Sequence, residues 1–158
     1  MKQGFVKVAS ATPRIRVADP VYNAQVICEQ AKEAAEHGAK IVVFPELCIT
    51  GYTCNDLFLQ ELLLEKAKEA LLTIAEETGQ LETLFLVGLP VDKDGRLYNV
   101  AAVLYRGRIL GMIPKKNIPM YAEFYEGRHF TPGEETVTEY RLGKQEIPFG
   151  TNLLFRCE

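Results

Sequence analysis

Two side chains in this sequence stand where acyl-transfer chemistry would need them. Glu46 directly follows Ile41-Val42-Val43-Phe44-Pro45, which places it at the carboxyl end of a strand, where open α/β folds hold their ligands. A partly desolvated carboxylate in that position is a candidate general base. A solvated loop glutamate or a helix cap reads equally well from position alone. Lys115 holds the equivalent place after Ile109 to Ile113, again following a proline. Its ammonium, a compact charge with three donors, suits an oxyanion developing on a carbonyl. Lys116 lies beside it, and spacing does not say which of the two faces solvent.

Other chemistry-bearing residues read more plainly. Glu123 and Glu126, with Arg128 two residues further on, are expected to form a surface salt-bridge cluster, and His129 is expected to be structural. Gly107 and Gly111 lack G-x-G-x-x-G spacing, so no dinucleotide cradle is indicated. The cysteines at 28, 48, 54 and 157 have neither C-x-x-C pairing nor histidine neighbours. That argues against a zinc site and against a disulfide framework, leaving small buried hydrophobes or inert thiols.

The elements that must position Glu46 and Lys115 follow from periodicity. Phe5 to Ala11 suits an early strand. Asp19 before Pro20 reads as an N-cap with proline at the first helical position, and Ala24, Ile27, Ala31 and Ala35 recur at helical steps until Gly38. The unalternating run Ile41 to Phe44 predicts a strand covered on both faces. Strand, helix and strand in this order predict a βαβ unit with parallel strands. A second helix is predicted from about Asp56 to Gly79, with Leu59, Leu62, Leu63, Lys66, Ala70 and Ile74 in register. Leu84 to Pro90 is the third strand, and Asp92-Lys93-Asp94-Gly95 turns it into Tyr98 to Leu104. Arg106-Gly107-Arg108 is a further tight turn, and 114 to 133 reads as a site loop. Leu153-Leu154-Phe155 is predicted to begin another strand, cut mid-fold. The fold class is therefore α/β with added antiparallel hairpins, a layered sheet.

The chain has 158 residues, one domain's worth, enough to bury roughly 70% of its unfolded surface. Hydrophobic residues at 47% and charged residues at 25% exclude disordered and low-complexity classes. Net charge is −3 and the isoelectric point about 5.5, so nucleic acid is not an expected partner. No run approaches a membrane span and the N-terminus lacks signal-peptide order, so no membrane association and a cytoplasmic location are expected.

Val43-Phe44-Pro45-Glu46-Leu47-Cys48-Ile49-Thr50-Gly51-Tyr52 resembles the first motif of the nitrilase (carbon–nitrogen hydrolase) superfamily. Val87-Gly88-Leu89-Pro90, Leu97-Tyr98-Asn99-Val100-Ala101, Arg106 to Gly111, Pro114-Lys115, and Glu126 with Phe130, Pro132 and Gly133 follow that superfamily's order. The extension through Thr53-Cys54-Asn55-Asp56-Leu57-Phe58, together with Ile118-Pro119, Tyr121 and Glu123 to Glu126, is similar to the amino-terminal glutaminase domains of glutamine-dependent NAD synthetases. The resemblance implies an αββα four-layer sandwich, truncated here, and a Glu-Lys-Cys triad that hydrolyses the side-chain amide of glutamine through a glutamyl thioester. It implies Glu46 as general base, Lys115 as oxyanion stabiliser, Glu126 as a supporting glutamate and Tyr121 as a glutamine contact. It further implies a synthetase domain on the same chain, absent from 1 to 158, which uses the ammonia with ATP and magnesium to amidate nicotinic acid adenine dinucleotide. No cofactor is expected within these residues, and a homo-oligomer is expected. Asn117 and Met120 depart from the usual lysine segment, which puts local substrate contacts in question.

The same resemblance places the catalytic cysteine beyond residue 158. Cys48 is too close to Glu46, Cys54 lies in the following loop, and Cys157 precedes the expected strand with different flanking residues. The fragment alone is therefore expected to be inactive. The rival readings are a free-standing nitrilase-type amidase and a non-catalytic oligomerising module.

Overall fold

The turn chemistry of the sequence dictates the centre of the molecule. In the computed structural model, which describes residues 4–156, Asp94-Gly95 and Arg106-Gly107 are two-residue hairpin loops with positive φ at all four positions (54°, 72°, 47° and 76°). Such loops match the twist of the strands they join. They fold Leu84–Lys93 (β3), Arg96–Tyr105 (β4) and Arg108–Pro114 (β5) into an antiparallel meander.

Two parallel strands extend the meander on one side. Val8–Ser10 (β1) pairs with Ile41–Val43 (β2), and β2 pairs with β3. Between β1 and β2 runs Pro20–Glu36 (α1), capped by Asp19, whose side chain accepts the Tyr22 N–H at 3.1 Å. Glu61–Glu77 (α2) connects β2 to β3. On the other side, Thr138–Leu142 (β6) and Gln145–Phe149 (β7) form a hairpin, with β7 parallel to β5. The seven strands lie in the order β1-β2-β3-β4-β5-β7-β6.

The core lies between this sheet and the helices. Ile27 and Ala31 of α1 and Leu71 and Ile74 of α2 pack on Val42, Phe85, Val87 and Leu89. The opposite sheet face is covered in part, where Leu97 packs with Leu47, Phe58 and Phe130, and is open at β2, which corrects the expectation that Ile41 to Phe44 is covered on both sides. Val42 and Phe44 are buried, whereas Val43 is 43% exposed. The alternation is that of a one-sided strand, and only residues outside this pairing would make the apolar run necessary.

Three further expectations are revised. The first strand is three residues, with Phe5 and Val6 exposed before it. Asn55–Leu59 is a separate 3₁₀ turn ending at the extended Gln60, so α2 starts later and its buried stripe is Leu63, Ala67, Ala70, Leu71, Ile74 and Ala75. Leu59 and Leu62 are exposed instead. Leu153 to Phe155 is not a strand; the side chains of Leu153 and Phe155 lean over Gly111 of β5, and a side chain there would have to push them aside. The β6–β7 hairpin was not anticipated, since Thr-Glu-Tyr-Arg-Leu carries its buried residues, Tyr140 and Leu142, amid charges.

Gly88 governs how closely the loop after β2 approaches β3. A Cβ there would collide with the Leu47 amide nitrogen and lie 2.7 Å from the Pro45 oxygen, both backbone atoms that cannot swing aside. The contact is sealed by Ile49 N–H donating to the Gly88 carbonyl at 3.1 Å. Gly88→Ala is expected to cost about 2 kcal/mol through this overpacking, read by chemical denaturation; a change below about 0.5 kcal/mol, the size of an ordinary surface substitution, would show that the loop yields freely.

Candidate active site

Glu46 is carried out of β2 by a tight loop. Leu47 takes a left-handed conformation (φ 53°) and its carbonyl accepts from Thr50 N–H at 3.1 Å and Gly51 N–H at 2.7 Å. The loop is tied to α1 by buried Asn23, which donates to the Ile49 carbonyl at 2.9 Å and exchanges two 2.7 Å hydrogen bonds with the Arg16 backbone. Lys115 follows β5, and its backbone N–H donates to the Asn99 carbonyl of β4 at 2.8 Å. Glu126 opens a 3₁₀ turn, Glu126–Arg128, in the long loop after β5.

These segments converge on one ammonium. Lys115 Nζ lies 2.9 and 3.1 Å from the two oxygens of Glu46 and 2.9 and 3.0 Å from those of Glu126. Glu126 is 6% exposed, which contradicts the surface salt-bridge reading, and Arg128 pairs with Asp56 at 3.0 Å rather than with it. Glu123 is exposed. Lys116 turns away to Glu135 at 2.6 Å on the surface, so the two adjacent lysines are separated by geometry where spacing left them equal.

Two residues that the sequence reading did not single out complete the cluster. Tyr52 Oη donates to Glu126 Oε1 at 2.7 Å. Asn99 Nδ2 donates to Glu46 Oε1 and, at 3.4 Å, to Glu126 Oε2. The available signal for Asn99 was an asparagine in the middle of a buried strand, where that residue type is depleted. Tyr121, by contrast, is 68% exposed and stacks edge-on with Phe124 at 5.6 Å; it lies apart from the ammonium and its carboxylates. His129 packs against Phe58 and Phe130.

Electrostatics favour a charged lysine. Partial burial by itself would lower the Lys115 ammonium, but hydrogen bonds and charge from Glu126 and Glu46 outweigh it and hold the group above the ordinary lysine range. Burial, then the bond to Glu126, pushes the Tyr52 hydroxyl up, so it stays a donor. The thiols are the opposite of nucleophiles: burial pushes Cys28 up to about 11 and Cys48 up to about 12, and raises Cys54 as well. All three are free and buried. Cys157 lies outside the described residues. Among the described residues no group of His, Cys, Asp and Glu could hold a metal ion, and no helix is long and apolar enough to cross a membrane.

The cluster stands at one end of a groove of about 710 Å³ on the open sheet face, lined by Val43, Leu86 and Ala101 as well as Glu46, Asn99 and Lys115. An ammonium donor and a half-exposed carboxylate beside an apolar trough can polarise a carbonyl and exchange a proton with a neighbouring group.

The family model for carbon-nitrogen hydrolases matches residues 7–152. A glutamine-dependent NAD(+) synthetase of Mycobacterium tuberculosis is 40% identical over 154 residues, covering 98% of this chain and 23% of that protein. The enzyme of the same name from Thermotoga maritima is 36% identical over 135 residues, covering 85% of this chain and 23% of its own length. The crystal structure of a glutamine-dependent NAD(+) synthetase from Cytophaga hutchinsonii superposes with a TM-score of 0.90 at 28% identity, covering 97% of this chain and 26% of that one. An amidase from Nesterenkonia sp. shares the fold at a TM-score of 0.67 and 24% identity, covering 90% of this chain and 54% of that one. The chain thus spans about a quarter of the length of the synthetases it matches.

Removing the shared cation would leave Glu126 buried beside Glu46 without a counter-charge. Lys115→Met is expected to cost about 3 kcal/mol at pH 7, as when one partner of a buried pair is deleted. Because the folded lysine is held above its unfolded value of about 10.4, this stabilisation is fully present below that pH and fades as pH rises through the folded value. Denaturation of parent and variant at pH 7 and pH 11 checks both; a gap that widens with pH would reverse the sign.

Proposed function

This chain belongs to the carbon–nitrogen hydrolase family, and from that premise we propose that it is part of a glutaminase, supplying the base and the oxyanion donor for hydrolysis of the glutamine side-chain amide. The observation that carries the reading is the single ammonium held between Glu46 and Glu126 at the end of the groove, with Glu46 the more open of its partners, its side chain 40% exposed against 5% for Glu126.

In the proposed reaction a cysteine thiol gives its proton to Glu46 as sulfur bonds to the amide carbon. Lys115 stabilises the oxygen of the tetrahedral intermediate. Collapse breaks the carbon–nitrogen bond, Glu46 returns the proton to the departing nitrogen as ammonia, and a glutamyl thioester remains. Water, deprotonated by Glu46, then attacks the thioester, and glutamate leaves as the thiol is restored. Glu126 keeps Lys115 charged and in place and does not itself exchange a proton. Tyr121 remains a proposed glutamine contact.

The nucleophile is assigned to a cysteine beyond residue 158, with Cys157 set aside because its flanking residues differ from those around the family's nucleophile. Cys28, Cys48 and Cys54 are buried with raised thiols, whereas a nucleophilic cysteine needs thiolate character and access. The 158-residue chain by itself is therefore proposed to be inactive. In the whole protein the ammonia would serve ATP-dependent amidation of nicotinic acid adenine dinucleotide to NAD. ATP and magnesium belong to that step and to the synthetase part, and no residue of this chain is assigned to them. The name shared by the relatives supports this assignment.

The test is ammonia release from glutamine. The full-length protein is expected to release it, with kcat/KM reduced about 10³-fold by Glu46→Gln and by Lys115→Met, while the 158-residue chain releases none. Turnover indifferent to Glu46→Gln, or release by the short chain that disappears on Cys48→Ala, would overturn the proposed roles.

A further inference from the structure

Glu46 and Glu126 are held to the same ammonium by unequal means. Glu126 is buried, and Tyr52 gives it a neutral donor at 2.7 Å independent of Lys115. Glu46 is far more open, on a side chain with three torsions, and among the described residues only Lys115 and Asn99 hydrogen-bond to its carboxylate. Two carboxylates facing one cation repel each other, and the more exposed of them gains hydration by turning outward. Something must hold it in.

Resting on the glutaminase reading, we propose that Asn99 is a positioning residue that fastens Glu46 against Lys115. Its carboxamide bridges the two carboxylates, one N–H toward Glu46 Oε1 and the other toward Glu126 Oε2. Ionised carboxylates only accept, so the amide has one orientation here, with its NH₂ toward them. Its backbone is fixed in the sheet: Asn99 is in register with Pro90 of β3, and its carbonyl accepts from the Lys115 N–H across to β5. The residue that aims the proposed base thus also holds the lysine's backbone through its own carbonyl, from the neighbouring strand. Oε1 thus takes the Asn99 N–H together with the shorter Lys115 contact, and Oε2 is contacted by Lys115 alone, at 3.1 Å. A neutral donor performs this without placing a second positive charge beside the ammonium.

The titratable groups around Lys115 are Glu46, Glu126 and, behind Glu126, the neutral Tyr52 hydroxyl; neighbouring Lys116 is engaged with Glu135. The Lys115 titration therefore reports whether Glu46 is in place. It is measured on this chain with ¹³C-labelled lysine by NMR in the parent, Asn99→Leu, Glu46→Gln and the double variant. Asn99→Leu is expected to lower the Lys115 midpoint by about one pH unit, the effect of losing one nearby opposite charge, and to leave Lys116 unmoved. Glu46→Gln is expected to lower it by a similar amount, and the double variant no further, since Asn99 acts through Glu46. A midpoint unchanged in Asn99→Leu, or a fall that adds in full to that of Glu46→Gln, would overturn the proposal. If Asn99→Leu lacks a dispersed spectrum, Asn99→Ser enters the same cycle. The titration needs no turnover, so failure of the full-length protein to release ammonia would sink the glutaminase reading and leave this result to stand or fall separately.

Discussion

One half-buried ammonium with two carboxylates upon it is the constraint around which the rest of this molecule is arranged. Glu126 is almost wholly withdrawn from water, and a buried charge without a partner is among the costliest features a small domain can carry. Four separate segments must therefore arrive together: the loop after β2 with Glu46, the following turn with Tyr52, β4 with Asn99, and β5 with its loop bringing Lys115 and Glu126. Each is secured by backbone contacts that owe nothing to charge. Gly88 admits the Glu46 loop, Asn23 ties that loop to α1, and the Lys115 amide is part of the β4–β5 register.

That arrangement explains why the site combines rigidity with access. The lysine's backbone and Asn99 stand in the middle of the sheet, whereas the carboxylate of Glu46 reaches into the groove on its open face. A proton acceptor has to meet its partner, so it must be exposed, and it has to meet it at a fixed angle, so it must be held. Asn99 and Lys115 hold it from the protein side and leave the other side clear.

Much of this was legible in the sequence, and the parts that were not have physical reasons. The parallel β1–β2 pairing, the N-cap at Asp19 and both Gly-containing hairpins were readable because capping and turn chemistry are local. So was the position of Glu46 and Lys115 at strand ends. The covering of β2 was misread because an apolar run records what a strand can be buried against, and the described residues supply helices on one side only. Glu126 was misread because charge spacing in a loop suggests a neighbour, Arg128, while tertiary folding chose Lys115 and gave Arg128 to Asp56. Asn99 and Tyr52 lay inside recognisable stretches, but their significance depends on contacts across 27 to 74 positions of sequence, which no local pattern encodes.

The topology also divides the cluster by the entropy of bringing it together. Asn99 and Lys115 belong to a meander whose turns span two residues each, so their juxtaposition closes almost no loop. Glu46 arrives only through the pairing of β2 with β3, which encloses all of α2, and the cost of such closure grows with the logarithm of the enclosed length. The positive half of the cluster is thus templated by its immediate neighbours in the chain, and the proton acceptor is delivered by the long-range contact. Changes in the length of the α2 connection fall on the acceptor and on Tyr52, leaving the cation on its own strand.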